Sequence, residues 1–154
     1  MKKETKSIVI LVADDDLDDR QMIQEAFKDN RITNALCFVK DGEELMDFLF
    51  CRGNFQGRAN LPKPGLILLD LNMPKKDGFE CLKEIKLDPE LKRIPVVVLS
   101  TSKAHVDIFR SYNLGVNSFV TKPVTFDGLV TVLRDLGHYW LEIVQLPAND
   151  TREK

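Results

Sequence analysis

Ile8-Val9-Ile10-Leu11-Val12-Ala13 runs directly into Asp14-Asp15. The same arrangement recurs three times. Leu66-Ile67-Leu68-Leu69 runs into Asp70, Val96-Val97-Val98-Leu99 into Ser100, and Phe119-Val120-Thr121 into Lys122-Pro123. Short, continuous apolar runs rich in Val and Ile read as strands buried on both faces, the condition of a parallel sheet. Open α/β sheets place their sites outside the carboxyl ends of such strands. Three carboxylates, a hydroxyl and an ammonium would therefore meet at one sheet edge, which outlines a site for a divalent cation and a phosphoryl group.

Working outward, strand-like and helix-like stretches alternate. Residues 17–29 place Met22, Ile23, Ala26 and Phe27 on one helical face. Residues 35–39 read as a second strand. Asp41 and Glu44 resemble a capping box opening a helix with Leu45, Phe48 and Leu49 inward. Residues 51–64, with Gly53, Gly57, Pro62 and Pro64, form a loop. Asp77 and Glu80 open another helix, carrying Phe79, Leu82 and Ile85. A fourth helix over 103–113 is expected to turn Val106 and Phe109 inward. A fifth strand covers about 117–121. The last helix starts near Thr125 and is long, with Phe126, Leu129, Leu133, Leu136 and Trp140 at helical spacing.

Five βα units of this kind imply right-handed crossovers and helices on both faces of a doubly wound, five-stranded parallel sheet. The order 2-1-3-4-5 is one of two common arrangements, and it would seat Asp14 and Asp15 beside Asp70. The expected organisation is one domain over 7–147, including a C-terminal extension, with loose ends at 1–6 and 148–154.

The 154 residues suit one sizeable core, and 44% hydrophobic with 30% charged residues is ordinary for a globular protein. A net charge of −2 argues against nucleic-acid binding. Cys37, Cys51 and Cys81 are odd in number and lack metal-type spacing, so reduced packing thiols and a cytoplasmic location are expected. No apolar run is long enough to span a bilayer.

Carboxylates without nearby His or Cys suit a hard, oxygen-seeking cation such as Mg²⁺. Asp16, Asp18 and Asp19 precede or enter a first helical turn and read as capping and dipole-complementing groups. Asp14 and Asp15 instead end a buried strand. A carboxylate beside a divalent ion can attack phosphorus to form an aspartyl phosphate, while the ion and a lysine neutralise the transferring group. His105 and His138 stand alone, and surface or packing roles are expected for both.

Four segments together make the pattern specific: 12–16 (VADDD), 68–78 (LLDLNMPKKDG), 98–101 (VLST) and 119–123 (FVTKP). In order and spacing, over about residues 7–137, the chain resembles the receiver domain of two-component response regulators, with its flavodoxin-like sheet. The resemblance implies that Asp70 is the phosphoacceptor and that Asp14 and Asp15 are the acid pair. Asn72 would lend its backbone carbonyl to Mg²⁺, Lys122 would contact the phosphoryl group, Ser100 is the switch hydroxyl, and Phe119 holds the switch-aromatic position. The long 51–64 loop, Leu71-Asn72-Met73-Pro74, Ser100-Thr101-Ser102 and the tail from Tyr139 to Pro147 resemble stand-alone regulators that partner bacterial phytochromes. A sensor histidine kinase is then the expected phosphoryl donor.

The tail over 139–146 is apolar on many sides. It either finishes the core or, as an exposed patch, meets a partner or a second copy of the chain in a homodimer through the last helix and C-terminal extension. No DNA-binding segment is seen, so a signalling switch acting through protein contact is expected, rather than an enzyme. Two rivals share parts of the pattern. A Mg²⁺-dependent phosphohydrolase with an Asp nucleophile usually needs a second acid nearby, yet Asn72 stands two residues after Asp70. A flavin-binding carrier needs a phosphate loop after the first strand, where this chain has aspartates that would repel phosphate.

Overall fold

The computed structural model describes residues 7–147, so the expected loose ends at 1–6 and 148–154 lie outside the described residues. Five strands form one parallel sheet: β1 (Ile10–Ala13), β2 (Leu36–Val39), β3 (Leu66–Leu69), β4 (Val96–Ser100) and β5 (Ser118–Thr121), in the order β2-β1-β3-β4-β5. The helices between and after them are α1 (Leu17–Asp29), α2 (Gly42–Phe50), α3 (Gly78–Leu87), α4 (His105–Asn113) and α5 (Phe126–Gly137). A 3₁₀ segment, Gly53–Arg58, lies within the 51–64 loop, and a π-helical turn, His138–Ile143, follows α5.

The continuous apolar runs are explained by two cores. Alternate side chains of one strand go to opposite faces. Leu11, Ala13, Ile67, Leu69, Val96 and Val98 pack against α2 and α3, through residues such as Leu45, Leu49, Leu82 and Ile85. Ile10, Val12, Leu66, Leu68, Val97 and Leu99 pack against α1 and α5, through Ile23, Phe27, Leu129 and Leu133. A strand with both faces covered has no place for a polar residue until it leaves the sheet.

Register then sets the site. Ala13 pairs with Leu69 and Ser100 with Thr121, so Asp14 and Asp70 emerge side by side and Lys122 leaves β5 one residue beyond the Ser100 pair. Caps hold the following helices in place. The Asp16 side chain accepts the N–H groups of Asp18 (2.8 Å) and Asp19 (3.3 Å). Asp77 and Glu80 form a reciprocal capping box. At the second helix the Asp41 carboxylate accepts the Glu44 N–H, but the Glu44 carboxylate takes the N–H of Lys40, one residue before the cap.

Two further expectations need correction. Val106 and Phe109 of α4 point to solvent, at 73% and 70% exposure. The buried residue of α4 is Ser111, whose hydroxyl donates to the Asp107 carbonyl. Periodicity identifies an apolar stripe but not what covers it, and α4 sits by β5 at the sheet edge, where little remains to cover a whole face. The last helix also does not continue regularly. It widens to the π-helical turn, which buries Trp140 and Leu141 in the α1/α5 core and leaves Tyr139 and Ile143 exposed.

These assignments separate two substitutions that look alike in the sequence. Leu133→Ala should cost about 2–5 kcal/mol, whereas Phe109→Ser should stay within about 0.5 kcal/mol of the parent chain. Urea denaturation of each variant measures the difference.

Candidate functional site

The carboxyl edge of the sheet gathers the carboxylates, the hydroxyl and the ammonium expected there. Asp14 and Asp70 are buried, Ser100 and Lys122 are buried beside them, and Asp15 is exposed at the rim. Asp14, Asp15 and Asp70 each offer a carboxylate oxygen, and these oxygens lie within 4.8 Å of one another. An all-oxygen set of that span fits a small hard cation such as Mg²⁺ or Mn²⁺.

Local backbone aims these groups. The Asp14 carboxylate accepts the Asp16 N–H at 2.9 Å, and the Arg20 guanidinium donates to the Asp14 carbonyl at 2.7 Å. The Asp70 carboxylate accepts the Asn72 N–H at 3.2 Å. Behind Asp70 the loop closes where the Gly78 N–H donates to the Leu71 carbonyl at 2.9 Å. A Cβ at Gly78 would stand 2.7 Å from both the Asp70 carbonyl oxygen and Leu71 Cα, so only glycine lets α3 start this close to the acid.

Lys122 joins the edge from the far side. Its Nζ donates to Asp14 Oδ2 at 2.7 Å and to Asp19 Oδ2 at 2.9 Å, and lies 3.6 Å from Asp70 Oδ2. Its backbone N–H donates to the Ser100 carbonyl at 2.7 Å, which ties the end of β5 to that of β4. The Ser100 hydroxyl accepts the Ser102 N–H at 3.2 Å. Phe119 is partly buried against the α2/α3 core, and its backbone N–H donates to the Tyr112 hydroxyl at 3.2 Å.

Asp19 stands in the first turn of α1, as the sequence reading placed it, and its carboxylate also closes on Lys122, a role that reading missed. The available signal is its place in the first turn of α1, directly after the strand end that carries Asp14 and Asp15. Asp16 does cap the helix as expected, and Asp18 lies in its first turn. His105 begins α4 and is exposed, and His138 lies half-exposed against Glu142 at 3.1 Å.

The electrostatics describe a site short of positive charge. Burial pushes the Asp70 carboxyl up to about 6, the attraction of Lys122 opposes that rise, and Asp14 and Asp15 add to it. Burial likewise raises Asp14, against its hydrogen bond to Lys122. Burial alone would lower the Lys122 ammonium, but Asp14, Asp70 and Asp19 outweigh it and hold the group above its ordinary value. A cation placed among the three acids would relieve their mutual repulsion. The three cysteines take no part. All are free thiols, and burial pushes Cys81 up to about 12, far from a reactive thiolate.

The chain is similar to known proteins over most of its length. The response regulator receiver domain family matches residues 10–134. Response regulator Rcp1 of Synechocystis sp. (strain PCC 6803) is 46% identical over 140 residues, covering 91% of this chain and 93% of Rcp1. The crystal structure of Mn²⁺-bound Rcp1 superposes with a TM-score of 0.83 at 45% identity, over 92% of this chain and 99% of that one. The phosphorylated cyanobacterial phytochrome response regulator RcpA superposes with a TM-score of 0.86 at 44% identity, over 93% of this chain and 100% of that one. With two acids at the end of β1, one at the end of β3 and a lysine past β5, all converging on one edge of a 2-1-3-4-5 sheet, this chain belongs to the response regulator receiver domains of two-component systems.

Proposed function

We propose that the chain is a stand-alone response regulator, a single domain over 7–147, that accepts a phosphoryl group on Asp70 from a sensor histidine kinase. The observation that carries this reading is the meeting of Asp14, Asp15 and Asp70 within one cation's reach, with the Lys122 ammonium 3.6 Å from the acceptor. A phytochrome-like kinase is the proposed donor, on the likeness to Rcp1 and RcpA. Action in the cytoplasm accords with the described residues, among which no helix is long and apolar enough to cross a membrane.

In this mechanism an Asp70 carboxylate oxygen attacks phosphorus of a phosphohistidine. The O–P bond forms as the P–N bond breaks, and the electron pair leaves with the histidine nitrogen. Asp14, Asp15, Asp70 and the Asn72 carbonyl would hold Mg²⁺, which supplies charge neutralisation for the phosphoryl oxygens. Lys122 supplies the second positive charge, and the Ser100 hydroxyl donates to a phosphoryl oxygen. The product adds charge and strong acceptors at the strand ends. Drawing Ser100 toward them, with Phe119 changing rotamer beneath, shifts the population of the α4, β5 and α5 surface toward a partner-binding form. The output is protein contact, not turnover of a substrate.

Incubation with acetyl phosphate and Mg²⁺ should add one phosphoryl group by intact mass to the wild type and none to Asp70→Asn. Modification that persists in the variant would move the acceptor elsewhere.

The raised Asp70 sets a pH dependence with a definite sign. Its folded value, about 6, lies above its ordinary value, so between the two the native state binds the extra proton. From this group, cation-free stability falls as pH rises through that window. Asp70→Asn should therefore be more stable than the wild type above pH ~6, by on the order of 1–3 kcal/mol, with the gain vanishing near pH ~4. Cation affinity should run oppositely, weakening as pH drops through ~6 and Asp70 takes up its proton. Urea titrations and calorimetric Mg²⁺ titrations across pH 4–8 read both trends.

A homodimer through α5 and the turn after it is the proposed assembly, since Tyr139 and Ile143 stay exposed there beside a hollow lined by Val132, Leu136 and Trp140. Sedimentation should show a dimer that the double variant Tyr139→Ser/Ile143→Ser converts to monomer. A wild type that stays monomeric with and without phosphorylation rejects this assembly.

A further inference from the structure

Lys122 carries one more carboxylate than phosphoryl chemistry asks of it. Its ammonium has three protons and three acidic neighbours, but they are not equivalent. Asp14 and Asp19 accept hydrogen bonds at 2.7 and 2.9 Å, while Asp70 stands off at 3.6 Å. Asp14 and Asp70 also belong to the trio whose oxygens converge as for a cation, and Asp19 does not. Asp19 is hydrogen-bonded to the site through the lysine, and its charge also acts on Asp14 through space. The turn that carries it is fixed independently, because its backbone N–H donates to the Asp16 cap.

Ion and ammonium therefore draw on the same two carboxylates, those of Asp14 and Asp70. A cation taken up by Asp14 and Asp70 draws them away from Lys122, whose side chain is only 6% exposed. A buried ammonium that loses its partners is costly, and that cost would be subtracted from the cation's affinity. Asp19 would offset it, since its side chain stays out of the trio and can keep its bond to the lysine when Asp14 and Asp70 turn to the ion. We propose that Asp19 is a positioning residue that holds the Lys122 ammonium, so that Asp14 and Asp70 are free to ligate a divalent cation. The inference rests on the cation site of the proposed function and goes beyond it in assigning how the lysine is managed.

The test is a double-mutant cycle on cation affinity, without phosphorylation. Mn²⁺ is titrated into the full chain and its free concentration followed by electron paramagnetic resonance, for wild type, Asp19→Asn, Lys122→Met and the double variant. Acting through the lysine, Asp19→Asn should weaken Mn²⁺ binding about 5- to 20-fold when Lys122 is present and less than about twofold in Lys122→Met. Asp19→Glu, which restores the carboxylate, should recover most of the affinity. Equal weakening in both backgrounds would mean that Asp19 acts through space on the ion, and no weakening in the wild-type background would leave it a helix-end charge. Either result overturns the inference while leaving the cation site standing. A wild type that binds no Mn²⁺ saturably overturns the site reading and this inference together.

Discussion

One ammonium among buried carboxylates is the constraint on which the rest of this structure depends. Lys122 leaves the sheet past β5, yet its charge lands on acids at the ends of β1 and β3, across the end of β4. Burial raises Asp14 and Asp70 and would lower Lys122, so the lysine offsets the buried acids and the acids keep the buried lysine charged. The balance stays on the acidic side. Such an edge is stable enough to fold and still short of positive charge, which is the electrostatic condition for taking up a cation and then an anionic group.

Holding those groups within hydrogen-bonding distance requires a rigid support. The support is a sheet sealed on both faces, whose alternate side chains feed two separate cores. Close-packed cores transmit small displacements instead of absorbing them. β4 and β5 connect the site to the more loosely covered side of the molecule. The Lys122 N–H rests on the Ser100 carbonyl, and the Phe119 N–H on the Tyr112 hydroxyl of α4. α4 is the least buried of the helices, with Ser111 its one buried residue. A rearrangement at the strand ends thus has its cheapest outlet through α4, where few packed contacts must be broken.

Much of the site was legible because strand ends are legible. A buried strand excludes charge, so Asp14, Asp70 and Lys122 marked where three strands stopped, and the family's spacing then assigned their roles. The capping box at Asp77 was legible for the same local reason, since its partners are three residues apart. Asp19 was not. Its local setting, the first turn of a helix, has a sufficient explanation that never mentions a lysine 103 residues away. Phe109 failed differently: an apolar stripe looks the same whether it faces a core or water.

By itself the sequence determined the alternation of strands and helices, the two-faced burial of the strands and the residues at which each strand ends. These follow from periodicity and from the cost of burying charge, which act over a few neighbouring residues. Only the tertiary structure decided which carboxylates share the lysine, which side of α4 meets solvent, and that the last helix widens to bury Trp140 and Leu141. Those outcomes depend on what lies opposite a side chain in space, and that partner comes from sheet order and helix packing between segments far apart in the chain.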